Sequence, residues 1–381
     1  MIFGEFNLYS SNIYLMGILG STVIAYLLCI FIPSTSKRSL KLKSFLAASP
    51  MSIVLGLRSM SVGYDTYMYT YYFYGRLEAL PQDAILFSQT MVLLNKIFGP
   101  ENYTIMLLFF SYATVFLAFY AAEVFNPQNN KPLFVLTFCL LFGLCITDQF
   151  RQLLGCSLFL MAISHFANKE KFSGVVYLVA GVLTHSTVII ALIIYLICGV
   201  IEKKENRNVR IILSHSKKVG FIVNPKALIF SAYVILVMAL FFFSSSFLNL
   251  LINIAPESYL QYFTTRLQQE SVGLGLILDS MIIIPLLFLR KYCISSQERT
   301  IYLFGFFIPV FRLCGYMSYF LYRMLFYPEL AVIMLYAVLI KKDEVPRYWK
   351  YCIIAICALF YFVNYVYLNN HGAFPYTFYF E

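Results

Sequence analysis

The chain is 381 residues long, 61% hydrophobic and only 12% charged. A soluble domain of this length cannot hide so much apolar surface, so lipid is the solvent for most of it, and the chain reads as an all-α polytopic integral membrane protein. The formal net charge of +10 would favour nucleic acid in a soluble protein; here it resides mainly in loops between apolar runs, which disfavours nucleic acid as a partner.

Residues 1 to 9 contain no Lys or Arg, so the first apolar run lacks the basic start of a cleavable leader and reads as a retained span. About twelve apolar runs follow in order, each a candidate membrane crossing. They cover residues 9–32, 44–58, 102–124, 132–147, 150–167, 172–184, 186–200, 227–252, 276–289, 300–315, 322–340 and 351–368. Cytoplasmic loops retain Lys and Arg, which places 37–43, 125–131, 168–171, 201–226, 290–299 and 341–350 inside. Outside then fall 59–101, the turn at Asp148, the turn at Thr184 and His185, 253–275, the turn near Tyr316 and the tail from Asn369. Both termini land outside, and the whole chain, 1–381, reads as a single transmembrane helical domain.

Two outer loops are long enough to hold structure. Residues 81–99 set Ile85, Met91, Val92, Leu93 and Leu94 among polar residues, which predicts an amphipathic helix on or in the membrane surface. Residues 256–275 are polar and helix-like, end in Gly273 and Gly275, and read as a lid. The basic inner loop 201–226 suits contact with anionic lipid. No internal repeat stands out. Nine scattered cysteines without a Cys-x-x-Cys pair give neither a disulfide framework nor a metal site. Tyrosine is abundant, 31 residues against one Trp. It anchors membrane interfaces, and Tyr-rich outer loops also suit stacking on sugar rings.

Seven of the 28 basic residues break the charge pattern. Arg58, Arg76, Lys96, Arg151, Arg266, Arg312 and Arg323 map to the outer face or to span ends facing it. Mostly arginines on the side where cations are scarce point to an anionic ligand that demands guanidinium.

Around these residues the local sequence leaves two readings each. Between Arg58 and Tyr67, Gly63 permits a tight turn, and Arg58 with Asp65 either binds an anion and a sugar hydroxyl or forms an ion pair that pins the loop. In Thr147-Asp148-Gln149-Phe150-Arg151-Gln152, a helix starting at Thr147 or Asp148 puts Arg151 and Gln152 in its first turn. A cation there is unfavourable by about 0.3–1 kcal/mol, so either Asp148 neutralises it or, the favoured reading, a bound phosphate does. His185, in a polar break between two runs, is a general base or a helix cap; His371 is the other outer-face histidine, and four histidines spread along the chain make zinc a poor fit. Arg312 and Arg323 flank an outer turn, with Glu329 further into the next run; ionisable residues in spans are functional candidates, and a buried structural pair is the alternative.

The chain resembles the EpsG-like branch of Wzy-type polysaccharide polymerases. The features that carry the resemblance are RSMSVGYDTYMYTYYF from Arg58, DQFRQLLGCSLFLMAISHF from Asp148, the His185-Ser186 turn, Arg323 in LYRMLFYPE, and Pro375-Tyr376. The resemblance implies an enzyme of the bacterial inner membrane, its site facing the periplasm, that moves a growing O-antigen or exopolysaccharide glycan from undecaprenyl pyrophosphate onto a lipid-linked repeat unit. It needs no metal or other cofactor, since arginines supply the charge stabilisation for the leaving pyrophosphate. Arg151 and Arg323 would hold the pyrophosphate with Arg58 in support, and Asp65 or His185 would activate the acceptor hydroxyl. Gln152, Arg266, Arg312 and Tyr67 would be further substrate contacts. A chain-length regulator and a flippase are implied partners. The rival reading is a flippase or exporter of the same lipid-linked sugars, and a membrane acyltransferase is a third.

Overall fold

The computed structural model describes residues 8–32, 36–75, 80–81, 84–214, 269–315 and 319–368. Among the described residues the regular elements are helical, the solution open to a chain that must satisfy its backbone groups without water. They are α1 (Leu8–Phe31), α2 (Lys37–Gly56), α3 (Tyr64–Gly75), α4 (Ile85–Phe98), α5 (Tyr103–Phe125), α6 (Lys131–Phe142), α7 (Cys145–Ala167), α8 (Lys171–Thr184) and α9 (Val188–Ser214). After the undescribed stretch come α10 (Gln269–Leu289), α11 (Ser296–Gly305), α12 (Phe307–Cys314), α13 (Tyr319–Arg323), α14 (Phe326–Leu339) and α15 (Tyr348–Phe360), which continues as a π-helical turn, Tyr361–Tyr367. Among the described residues four stretches, Tyr103–Phe125, Cys145–Ala167, Leu321–Leu339 and Tyr348–Tyr367, are long and apolar enough to cross a membrane. The protein is an all-α membrane protein.

α1 and α5 begin and end within a residue of their apolar runs, and α4 occupies the amphipathic stretch. Elsewhere hydropathy and structure part. The segment after α2 contains α3, whose tyrosines give no hydropathy signal. The predicted turn at Asp148 is a bend within α7, where Gln149 takes non-helical angles (φ −120°, ψ 38°); the turn falls earlier, at Gly143-Leu144. α9 passes the end of its apolar run and continues to Ser214, because Glu-Lys-Lys-Glu is as good a helix former as Leu-Ile. The remainder of the basic loop, 215–226, lies outside the described residues. So do 256–268 of the predicted lid, whose last residues instead open α10.

Contacts divide the chain into two compact units, Met1–Ile190 with Tyr336–Glu381, and Ala191–Leu335. In the first, α7 is the central helix, buried from Cys145 to His165. α5 and α8 flank it, α2 packs on α5, α1 on α2, α6 on α1 and α15 on α6. The Tyr365 hydroxyl donates to the Leu141 carbonyl, and Glu123 pairs with Lys131 where α5 turns into α6. In the second unit α10 packs on α12, and α12 on α13. There the Glu202 carboxylate accepts Arg299 Nε at 2.7 Å and the Ser296 hydroxyl at 2.6 Å, joining α9 to α11.

Candidate functional site

Arg58 leaves the end of α2 with none of its surface exposed, and is among the largest fully buried side chains of the protein. A guanidinium carries five donors, and burial is tolerable only when they are engaged. Nε donates to Thr66 Oγ1 at 3.1 Å, Nη1 to the Leu55 carbonyl and to Ser111 Oγ at 3.4 Å, and Nη2 to the Thr147 carbonyl at 3.4 Å. Its Cζ lies 5.8 Å from the centre of the Phe150 ring. Arg58 is thus a joint between α2, α3, α5 and α7.

The Thr147 carbonyl is available to Arg58 because the helix is interrupted two residues later, at Gln149, and a buried carbonyl must find a donor elsewhere. The Thr66 hydroxyl is a second donor to it. Gly63, with φ +85°, lies so close to this carbonyl that a Cβ would overlap it. One residue on, Asp148 Oδ1 accepts the backbone N–H of Asp65 at 3.1 Å, capping the first turn of α3 from another helix. The Arg58–Tyr67 segment and the Asp148 bend, far apart in sequence, therefore form one structure.

Past Gln149 the helix resumes, and Arg151 and Gln152 occupy its opening turn. Both are buried, Arg151 with 9% of its surface exposed. Arg151 Cζ stands 6.0 Å from the centre of the Phe87 ring, on α4. Phe87 belongs to an aromatic cluster with Phe110 (4.6 Å between centroids), Tyr69 (5.2 Å) and Phe150 (5.8 Å). An apolar wall of this kind lowers the local dielectric and strengthens any interaction that the guanidinium makes with an anion.

α8 runs antiparallel to α7, with Gly181 against Leu158 and Tyr177 stacked on His165 at 5.2 Å. That pairing brings His185, at the end of α8, to the same end of α7 as Arg151. His185 is 4% exposed, and its Nδ1 lies 2.6 Å from Thr187 Oγ1. Asp65 is half-buried and Tyr67 exposed. Arg266, His371 and Pro375-Tyr376 lie outside the described residues.

The second unit holds its own charged cluster. Arg312, buried in α12, sets Nε 3.3 Å from Asp279 Oδ2 of α10 and its Cζ 4.8 Å from the centre of the Tyr322 ring. Gly275 leaves room for this guanidinium; a Cβ there would coincide with it. Glu329, 2% exposed, lies within electrostatic reach of Asp279 and Arg312. Arg323 is half-buried and closes α13, just before the turn at Met324-Leu325. Asp279 escaped the sequence reading, although an acidic residue within GLGLILDSMIIIPLL is the kind of intramembrane charge that marks a site.

The joint at Arg58, the bend at Gln149, the His185 turn and the Asp279–Arg312 pair all fall within the match of the EpsG family model, which spans residues 41–378. The chain belongs to the EpsG family. EpsG proteins are polysaccharide polymerases, so this one is a glycosyltransferase-like membrane polymerase of exopolysaccharide biosynthesis. No curated protein and no solved structure matches the chain.

Proposed function

We propose that the protein transfers a growing glycan from undecaprenyl pyrophosphate onto the sugar of a second lipid-linked repeat unit, at the outer face of the bacterial inner membrane. The acceptor hydroxyl oxygen forms a bond to the anomeric carbon of the donor's first sugar. The bond from that carbon to the pyrophosphate oxygen breaks, the hydroxyl proton passes to a base, and undecaprenyl pyrophosphate departs carrying the added negative charge. The barrier lies largely in that charge and in the poor nucleophilicity of a neutral hydroxyl.

The observation that carries the reading is the placement of Arg151. A guanidinium in the opening turn of a helix stands where the backbone amides already favour anions, and the Phe87 ring holds it by a cation–π contact. A diphosphate suits this place, because its oxygens accept from the guanidinium and from the amides of the turn. Asp65 is the proposed base: it is half-buried rather than enclosed, and Asp148 fixes its backbone beside the same bend. His185, buried and bonded to Thr187, is the proposed positioning residue for the end of α7. Gln152 and Tyr67 are proposed as substrate contacts, with Arg58 holding the joint beneath them. In the second unit Arg323 is proposed as a separate contact to anionic substrate, and Arg312 as the partner of Asp279 that shapes its surroundings.

The deciding experiment is elongation by the purified protein, in detergent, of lipid-linked repeat units as the sole substrate. Lengthening products with release of undecaprenyl pyrophosphate are expected. Transport of the same units across vesicle membranes without any lengthening would replace this reading by a flippase.

A further inference from the structure

α3 carries tyrosine at positions 64, 67, 71 and 74. Steps of three, four and three residues place all four on one helical face. Their exposures are 68%, 62%, 45% and 43%, while Thr66, Tyr69, Thr70 and Phe73 on the opposite face are buried. The neighbouring α4 exposes Ile85, Leu86, Leu93 and Ile97, with Phe98 at its end, the apolar chemistry that lipid tails call for. Two adjoining helices of one segment thus present different surfaces, and only one of them is a row of phenols.

A tyrosine offers a flat apolar ring and a hydroxyl that both donates and accepts. The C–H face of a pyranose stacks on the first, and the sugar's hydroxyls bond the second. Because its ring turns about only two torsions, tyrosine gives this contact area at low entropic cost. From Tyr64 to Tyr74 the stripe runs about 15 Å along the helix, room for a short run of sugars rather than one. It also begins at the candidate site: Tyr64 follows Gly63, which lies against Thr147, and precedes Asp65, which Asp148 holds.

We propose that Tyr64, Tyr67, Tyr71 and Tyr74 form a track that binds the polysaccharide chain through stacking on successive pyranose rings. The proposal rests on the polymerase reading above and adds to it the surface that retains the chain between transfers. Binding to sugars remote from the reacting carbon keeps the chain end within reach of the next acceptor.

The test uses the full-length protein in detergent and short oligosaccharides cut from the polymer of the producing strain. Saturation-transfer NMR reads ring-proton contacts and affinity. Tyr67→Phe/Tyr71→Phe, which keeps the rings and loses the hydroxyls, is expected to bind only a few-fold more weakly than the wild type, and Tyr67→Leu/Tyr71→Leu about tenfold or more weakly, with unchanged thermal stability and shorter polymer. Equal binding by the Leu variant, or none by the wild type, overturns the track and leaves the stripe a membrane-interface belt. Loss of binding in the Leu variant alongside a wild type that never elongates lipid-linked units keeps the track and removes the polymerase reading. Persistent elongation with sugar binding indifferent to Leu does the reverse.

Discussion

Asp148, inside α7, accepts the backbone N–H of Asp65 at the start of α3, at 3.1 Å. A helix start leaves amides without partners, and here a carboxylate from another helix supplies one. Asp148→Ala is expected to cost about 0.5–2 kcal/mol, the usual loss for a removed cap, and to lower elongation because Asp65 loses its tether. Asp148→Asn retains an acceptor and should recover most of both. Thermal unfolding and elongation of the two purified variants check this, and equal activity in Asp148→Ala would remove the tether.

Gly63→Ala sets a Cβ against the Thr147 carbonyl at φ +85°. The left-handed backbone alone costs about 1–2 kcal/mol for an L-residue, and relief of the overlap must shift the bend that carries Arg151. Activity should fall sharply in protein that still inserts. Gly75→Ala, where a Cβ meets nothing within 4 Å, is the control and should be neutral or slightly stabilising. Equal activity in the two variants would show that the contact at Thr147 is immaterial.

Arg58 and Arg151 should fail in different ways. Arg58→Ala takes a donor from Thr66, from Ser111 and from the Thr147 carbonyl, which keeps the Thr66 hydroxyl; each buried acceptor left unsatisfied costs about 1–3 kcal/mol, so folded yield and thermal stability should drop together with polymer. Arg151→Ala should abolish polymer in protein that still folds, with single capped repeat units accumulating. Arg151→Lys should restore little, because an ammonium cannot grip a diphosphate with two parallel bonds. Chain-length profiles beside unfolding curves separate the two roles; normal polymer from Arg151→Ala ends the pyrophosphate assignment.

The Asp279–Arg312 pair predicts strong coupling. Asp279→Leu leaves a buried guanidinium without its carboxylate, a change of about 3–5 kcal/mol. Arg312→Met should also destabilise, and the double variant should regain much of the loss because both charges are gone. A double-mutant cycle on thermal or denaturant stability measures this directly. Additive losses would show that the two groups do not act as a pair.

Much of the scaffold was legible from residue order. The limits of α1 and α5 follow from apolar runs bounded by polar residues, and α4 follows from its amphipathic spacing. α3 was not legible, since a helix of tyrosines and threonines has neither an apolar run nor a contrast between faces until its neighbours are known. Arg58 shows the same boundary at a single residue. Its distance of seven residues from Asp65 suggested a local partner, whereas the structure extends its donors to Ser111 and Thr147. Asp279 is the converse case: its place in an apolar run was readable, but nothing in that run names Arg312.

By itself, then, the order of side chains determined a lipid-embedded helical protein and marked the arginines worth attention. Hydropathy and helix propensity are local sums, additive along a few turns, and so survive without a third dimension. Tertiary structure alone decided that Arg58 is a joint, that Asp148 caps α3, that α7 bends at Gln149 to set Arg151 against Phe87, and that four tyrosines share an open face. Each of these depends on which buried polar group finds which partner across long sequence separations, and packing chooses that partner.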